Sequence, residues 1–598
     1  MAIPKRAEVP ENLRWDLTRV FKSDQDWKDE YNKVKSAVQR LSNLKRNFTK
    51  SGKDLYDALT KILAVARHLE KVYTYASMAS DVDTSDAHYL GYVSQVQSLA
   101  SQFETNTSFI NPGVLSISDE KLQQFKKDEP RLKNYDHWLE QITKKRPHTL
   151  PANEEKLIAG AGDAMGVSEN TFNVLTNSDM EYGYVQTDDG QMVQLTDGLY
   201  SQLIQSQNRN VRKGAFDVMY ATYGQFENTL ASTLSGVVKE HNYNARVHNY
   251  DSARSAALAE NGIPTVVYDT LIKEVNDHID LLHRYVALRK KILGLKDLQM
   301  WDMYVPLTGK PALSYTFEEA KKEAKKALTP LGDDYLKHVD YIFNNRDIDV
   351  VESQNKVTGA YSGGCYDTDP YELLNWEDNI DSLYTLVHET GHSVHSLYTR
   401  ENQPYVYGDY PIFVAEIAST TNENILTEYF LDHIKDPKTK AFILNYYLDS
   451  FKGTLYRQTQ FAEFEQFIHE ADAKGEPLTV DKLNQFYGNL NQHYYGDAVE
   501  PGGNIAKEWA RIPHFYYDFY VYQYATGFAA ASALANKVVH GTDKQRKAYI
   551  GFLKAGSSDY PTEIMKRAGV DMTKPDYLED AFNTFAKRLD EFENLIEK

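Results

Sequence analysis

The sequence contains little cysteine and few residues that break helices. Its 598 residues include a single cysteine, Cys365, so no disulfide can form within the chain, as is usual in a reducing compartment. Only 19 prolines and 32 glycines are present, which favours long helices. A chain of this length is too long to fold around one simple hydrophobic core. We therefore expect a mostly α-helical protein with two or more packed subdomains and a small β element.

The sequence also lacks an excess of basic residues and a long apolar run. Its net charge is −19, whereas a nucleic-acid-binding protein usually presents a basic face. The segment from Met1 to Arg19 lacks the apolar core of a secretory signal. The most apolar late stretch, Gly527 to Ala535, is far shorter than a membrane span. We expect no nucleic-acid partner, no membrane partner and a cytoplasmic location.

Against this background, residues 388–392 stand out, because they read His-Glu-Thr-Gly-His within a predicted helix. Positions i and i+4 lie on one helix face, so His388 and His392 can reach one metal ion through bonds of about 2.0–2.1 Å. Glu389 points aside and can act as the general base on a metal-associated water. Gly391 costs the helix about 1 kcal/mol relative to alanine, which indicates close approach of another backbone or of a substrate.

A third protein ligand is needed to complete a catalytic metal site. His395 lies seven residues after His388, and helix rise separates the two by about 10 Å along the axis, so His395 is a neighbouring or packing residue rather than a ligand. Glu416 is the first carboxylate in the apolar start of a second predicted helix, where a buried carboxylate needs a partner such as a metal. A solvated helix position explains Glu416 equally well. Glu423 lies on the same face and can accept a proton from a ligand histidine.

The segments that carry a family resemblance extend over most of the chain. They are 13–17, 359–366, 388–395, 414–419, 422–423 and 511–527. Together they resemble the M3 family of zinc metallopeptidases and its oligoendopeptidase F group. The resemblance implies a two-lobed, zincin-like helical fold with a deep substrate channel, and cleavage of internal bonds in short peptides. It also implies one Zn²⁺ ion, with Glu416 as its third ligand.

A change of pattern near residue 200 predicts the domain organisation. Asp188-Asp189-Gly190 lies between short apolar and aromatic runs, which is typical of a β-hairpin. We place a helical N-terminal region at 1–200 and the catalytic zinc peptidase domain at 201–598. The oligomeric state stays open.

A tyrosine-rich segment follows the metal motifs. The resemblance implies that His514, Tyr520 and Tyr524 bind the substrate and the transition state, and Tyr522 is a further candidate for substrate binding. Another tyrosine that is common in the family is replaced here by Gly527 or Phe528. Tyrosine can bury its ring while its hydroxyl donates a hydrogen bond, so several of these residues also suit simple packing.

Glycine-rich chain precedes the metal motif. The stretch from Thr358 to Tyr366 is predicted to be extended, and Tyr361, Gly363 and Gly364 are candidates for substrate binding. Glycine permits close approach of a peptide backbone, and an extended edge can pair with the peptide as an added strand. A loop without contact to substrate is the alternative.

Other functional classes fit the sequence less well. A di-iron carboxylate site needs two Glu-x-x-His motifs, and only His392 has a glutamate three residues before it. No Gly-x-Ser-x-Gly elbow of a serine hydrolase is present. The remaining alternative is a catalytically inactive, zinc-containing peptide-binding scaffold. A structural zinc usually has four protein ligands, and Cys365 is the only cysteine that could supply one.

Overall fold

A computed structural model of the chain describes residues 3–309, 313–500 and 502–596, and within them most residues are helical. The mostly helical architecture expected from the sequence is confirmed. The chain forms two compact units, each assembled from three segments: residues 1–147, 313–429 and 534–569 in the first, and 148–312, 430–533 and 570–598 in the second. The predicted division near residue 200 and the deep substrate channel stay predictions. Within the described ranges, no helix has the length and apolarity needed to cross a membrane.

The first unit is built on helices that pack around a continuous apolar core. The core includes Trp27, whose indole N–H donates to the carbonyl of Val72 at 2.9 Å, and it extends to Tyr371 and Leu373. Tyr371 and Leu373 belong to a short β-strand, so this core supports the sheet that contains that strand. The helices of this unit are Asp24–Leu41, Gly52–Asp81, Ala87–Thr107, Ile110–Leu115, Asp119–Asp128, Asp136–Lys144, Phe317–Ala327, Asp333–Asn344, Ile380–Asn402, Ile412–His433, Asp543–Leu553 and Pro561–Ala568.

The second unit is also helical, and aromatic rings fill part of its core. Phe451 lies with its ring centroid 4.5 Å from that of Phe585 and 5.7 Å from that of Phe582. Its helices are Ala152–Met165, Val167–Val174, Asp197–Leu203, Arg209–Gln225, Glu227–Val247, Ala253–Ala259, Thr265–Asp277, Ile279–Ile292, Pro437–Phe451, Arg457–Ala473, Val480–Tyr495, Tyr522–Val539 and Asp576–Ile596. Ile412–His433 and Tyr522–Val539 each continue past a unit boundary.

Five short strands are present among the residues that the structure describes. β1 (Tyr184–Gln186) and β2 (Met192–Gln194) form an antiparallel hairpin, which confirms the hairpin predicted around Asp188-Asp189-Gly190. Gly190 has a φ of 85°, a conformation that favours glycine in such turns. The three other strands are β3 (Ile348–Asp349), β4 (Tyr361–Gly363) and β5 (Tyr371–Leu373), in the order β3-β5-β4. β5 is parallel to β3 and antiparallel to β4, so β4 lies at the edge of this sheet.

Candidate metal centre and active site

The histidine motif lies on the helix Ile380–Asn402, called here the motif helix. The side chain of Asn379 caps its first turn by accepting a hydrogen bond from the Ser382 N–H at 2.8 Å. His388 and His392 lie one turn apart, and their Nε2 atoms are 3.2 Å apart. Both rings thus present a nitrogen to the same point.

Gly391 brings a second helix, Ile412–His433, against the motif helix. A Cβ atom added at Gly391 would lie 2.7 Å from the Cα of Ser419, which is closer than real Cβ contacts. The close backbone approach predicted from this glycine is therefore confirmed. Asn422 adds a bridge, because its Nδ2 donates to the carbonyl of Val387 at 3.2 Å. This contact holds Glu416 beside the two histidines.

Replacing Gly391 by alanine is expected to force the two helices apart. Overpacking of this kind costs about 1–3 kcal/mol of folding free energy, and here it also spreads the candidate ligands. We expect a lower midpoint of urea-induced unfolding together with weaker zinc binding. Gly551→Ala is the matched control, since a Cβ at this helical glycine meets nothing within 4 Å. Unchanged zinc affinity in Gly391→Ala would show that the contact does not set the ligand spacing.

Three side-chain atoms converge on one point between these helices. The Oε2 of Glu416 lies 3.3 Å from the Nε2 of His388 and 3.5 Å from the Nε2 of His392. With metal bonds of about 2.0–2.1 Å, tetrahedral geometry separates two ligand atoms by about 3.3 Å. The measured separations match this value, and the donor set of two imidazoles and one carboxylate suits zinc. These residues can therefore hold one metal ion.

The surrounding carboxylates control the charge of this cluster. The Nδ1 of His388 is hydrogen-bonded to Glu423, the partner that the sequence predicted. Burial lowers the pKa of His388, but the carboxylates of Glu416 and Glu423 outweigh it and raise the pKa to about 10. Burial also acts to raise the pKa of Glu416, but the two histidines hold it well below its usual range. Glu423 thus orients His388 so that Nε2 faces the cluster.

Glu389 lies next to the cluster and is almost fully buried, with 6% of its surface exposed. Burial raises its pKa above the usual value, and the charges of His388 and His392 and the nearby backbone of Ser362 partly offset that effect. Ser362 belongs to β4, so the edge strand and the motif helix meet at this carboxylate. A buried carboxylate with a raised pKa is suited to accepting and returning a proton.

A buried carboxyl group beneath the motif helix was missed by the sequence analysis. Glu372 on β5 is 0% exposed and accepts a hydrogen bond from the Ser393 hydroxyl at 2.9 Å. The Ser393 hydroxyl also lies 2.8 Å from that of Ser362. Burial raises the pKa of Glu372 far above its usual value, which favours the neutral form in the folded protein. The only signal in the sequence is a lone carboxylate within the apolar run Tyr371-Glu372-Leu373-Leu374.

The stability of Glu372→Gln relative to the wild type is expected to increase as the pH rises. The wild-type carboxyl stays protonated in the fold, whereas in the unfolded chain it ionises near its ordinary pKa of 4.5. The free energy of unfolding therefore falls as the pH rises from that value toward the raised pKa. Glutamine has similar shape and no such dependence. Urea midpoints at about pH 5 and about pH 8 test this, and an equal difference between variant and wild type at both values would contradict a neutral Glu372.

His395 packs instead of joining the three-atom cluster. Its ring stacks on that of Tyr410 with centroids 3.7 Å apart and planes 5° apart, and it is 1% exposed. Burial holds its pKa well below the ordinary range. The Tyr410 hydroxyl donates to the carbonyl of His392 at 3.4 Å, so His395 supports the motif helix through Tyr410. Of the two roles considered from the sequence, this contact favours packing.

The predicted extended stretch is observed as β4 and the chain that follows it. Tyr361 donates from its hydroxyl to Asp81 at 2.7 Å, so its side chain is tied within the first unit. Gly363 pairs with Tyr371 of β5, and Gly364 has a φ of 136°, which favours glycine. Binding of substrate by Tyr361, Gly363 and Gly364 stays a prediction.

The tyrosine-rich segment belongs to the second unit and forms its own cluster. The ring of His514 lies 6.2 Å from that of Tyr520 and 5.9 Å from that of Tyr524, and the two tyrosine rings are 5.4 Å apart. Burial lowers the pKa of His514. Tyr522 points elsewhere, because it is 3% exposed and its ring lies 5.2 Å from that of Tyr268. Packing is the role that this position of Tyr522 favours, and the substrate roles of all four residues stay predictions.

Comparison with known proteins extends the resemblance to the whole chain. The model of peptidase family M3 matches residues 202–584, and that of oligopeptidase F matches residues 114–182. Group B oligopeptidase PepB of Streptococcus agalactiae is 50% identical, over 99% of this chain and 98% of its own length. Oligopeptidase PepF of Bacillus subtilis is 48% identical, over 100% of this chain and 89% of its own length.

Solved structures agree with these relatives. A putative peptidase from Chlamydophila abortus has a TM-score of 0.92 and 34% identity, covering 99% of this chain and 100% of that one. Oligoendopeptidase-F from Enterococcus faecium has a TM-score of 0.76 and 43% identity, covering 96% and 99%. A helical metalloendopeptidase is the class that the fold and these relatives define. The chain belongs to peptidase family M3, in its oligoendopeptidase F group.

Proposed function

We propose that the protein is a zinc-dependent endopeptidase that hydrolyses internal bonds of short oligopeptides. His388, His392 and Glu416 hold a single catalytic Zn²⁺, and Glu389 is the general base. The observation that carries this proposal is the convergence of the three ligand atoms at separations of 3.2–3.5 Å. The restriction to short peptides is supported by the oligopeptidase names of the relatives.

The residues of the site divide the chemical work among them. Zinc supplies a positive charge that polarises the scissile carbonyl and lowers the pKa of a water ligand to about 7. Glu389 accepts a proton from the attacking water and returns it to the leaving amine. Its burial favours this exchange, because the raised pKa makes the carboxylate a stronger base. Glu423 keeps His388 in the orientation that leaves Nε2 available for the metal.

The peptide is proposed to bind along the edge of β4. Within the described part of the chain, no further strand follows β4 in the sheet order β3-β5-β4, so an extended peptide can add to that edge by backbone hydrogen bonds. The backbone of Ser362 on this strand lies near the Glu389 carboxylate, which links the proposed peptide edge to the base. Tyr361, Gly363 and Gly364 are the proposed contacts. His514, Tyr520 and Tyr524 are proposed as transition-state donors by resemblance.

Internally quenched peptides of about eight residues provide the test. The chain is stripped of metal with a chelator, assayed, and then restored with stoichiometric Zn²⁺. We expect activity only after zinc is restored, with products that mass spectrometry assigns to internal cleavage. Full zinc occupancy without cleavage across a varied peptide library would favour the inactive peptide-binding scaffold. Cleavage that persists without any metal would exclude the proposed mechanism.

A further inference from the structure

A second group of metal-ligand side chains lies within the second unit. It consists of His241 on Glu227–Val247, His469 on Arg457–Ala473, and Asp518 in the chain between Tyr516 and Tyr522. One ligand atom from each lies within 4.8 Å of the other two. All three residues belong to the same compact unit. None of them takes part in the proposed peptidase chemistry.

Two of the three separations in this group are similar to those of the first cluster. The Nδ1 of His241 lies 3.1 Å from the Nε2 of His469 and 3.4 Å from the Oδ1 of Asp518. These values bracket the separation of about 3.3 Å expected for two ligands of a tetrahedral zinc ion. The two imidazole planes differ by only 4°. Two imidazoles and one carboxylate suit Zn²⁺ and similar first-row ions better than Ca²⁺ or Mg²⁺.

His469 is held in the orientation that a metal ligand requires. It is 3% exposed, and its Nδ1–H donates to the carbonyl of Glu465 at 2.8 Å. This bond assigns the proton to Nδ1, so that Nε2 keeps its lone pair and faces His241. The Asn242 Nδ2 donates to the carbonyl of His469 at 3.0 Å and fixes the two helices against each other.

Asp518 has the properties of a carboxylate that needs a cation. Its Oδ1 is buried and accepts no hydrogen bond from the described residues. The other carboxylates that act on it, those of Glu260 and Glu240, are also negative. Its φ of 40° and that of Phe519, 57°, lie in the left-handed region, where strain persists only if the surroundings impose it. The Phe519 N–H donates to the Glu465 carboxylate at 2.7 Å. Glu465 therefore contacts both His469, through its carbonyl, and the chain next to Asp518.

We propose that His241, His469 and Asp518 form a second site for Zn²⁺ or a similar first-row divalent ion, separate from the catalytic cluster. The ion fastens the chain around Asp518 to the two helices. Because that chain connects His514 to Tyr520 and Tyr524, the ion holds the tyrosine-rich segment in place. The role is structural, since the ion links a loop to two helices of the second unit.

Metal counting on the full-length chain tests this proposal. Protein stripped with a chelator is reloaded with Zn²⁺, and native mass spectrometry counts bound ions in the wild type, His392→Ala, Asp518→Asn and His241→Gln/Asp518→Asn. We expect two ions in the wild type and one in His392→Ala. We also expect one in the double variant, with circular dichroism unchanged. Asp518→Asn alone is the more conservative change, so its ion count is not affected by any folding defect of the double variant.

The counts separate failure of this site from failure of the catalytic site. A single ion that the double variant loses and His392→Ala keeps supports the second site even if the catalytic cluster binds no zinc. A single ion that His392→Ala loses and both Asp518 variants keep overturns the proposal, and His241, His469 and Asp518 are then only a hydrogen-bonded network. Hydrogen exchange supplies a second reading, because zinc at this site should slow exchange of the amides of residues 517–521 in His392→Ala. Equal exchange with and without zinc there also overturns it.

Discussion

Glu389→Gln is expected to lower kcat by about 10²–10⁴-fold while leaving the zinc content unchanged. Glutamine keeps the shape of the side chain, but its amide cannot take a proton from water. Glu389 is 6% exposed, so bulk buffer has little access to replace it. Kinetics on a quenched peptide, with metal measured on the same samples, give both quantities.

Glu401→Gln is the matched control for this change. It makes the same substitution on the same motif helix, at a side chain that is 54% exposed and pairs with His338. We expect wild-type kcat and zinc content for this control. If Glu389→Gln is as active as the control, Glu389 is not the base. If it loses zinc as well as activity, the residue supports the metal instead of the proton transfer.

Glu416→Ala is expected to lower the zinc affinity of the candidate metal centre more than Glu423→Gln does. Structural zinc sites bind with about 10–16 kcal/mol, so one of four ligands contributes about 3 kcal/mol, or about 10²–10³ in affinity. The Glu416 side chain is 46% exposed, so its removal leaves little cavity and the fold should persist. Competition with a fluorescent zinc chelator measures the affinity, and urea unfolding of the metal-free protein measures the stability.

Glu423→Gln provides a graded comparison for Glu416→Ala. Glu423 touches His388 and no candidate metal position, and removal of such a partner lowers metal affinity by about 10–100-fold. We therefore expect the order wild type, Glu423→Gln, Glu416→Ala in decreasing zinc affinity. Equal affinity of wild type and Glu416→Ala would remove Glu416 from the ligand set. Activity should follow metal occupancy and recover with excess zinc for Glu423→Gln.

The sequence predicts the parts of the site that depend on local geometry. The i, i+4 spacing places His388 and His392 on one helix face, and the structure has their Nε2 atoms 3.2 Å apart. Gly391 predicted a close backbone approach, and the contact is with Ser419. The helical class, the hairpin near Gly190 and the extended chain at β4 were likewise predictable, because they follow from periodicity and turn chemistry.

Features that depend on distant parts of the chain could not be predicted in this way. Geometry within the motif left Glu416 as either a ligand or a solvated residue, because its position depends on how the second helix packs. Glu372 was missed because a three-residue strand leaves too short a pattern to mark as buried. His241 and His469 are 228 residues apart, so no local spacing connects them. The two units, each assembled from three segments, could not be predicted for the same reason, because contacts between distant segments define them.

The contact at Gly391 has a further consequence, which concerns the size of the ion. Two backbones in van der Waals contact cannot move closer, and Asn422 resists their separation, so the spacing of the ligand atoms is fixed by the main chain. Zn²⁺ and Co²⁺ have similar radii and fit this spacing, whereas Ca²⁺ requires bonds of about 2.3–2.6 Å and more oxygen ligands. If the proposed ligands hold the ion, a residue without a side chain would make the site selective by ionic radius, although it never touches the ion.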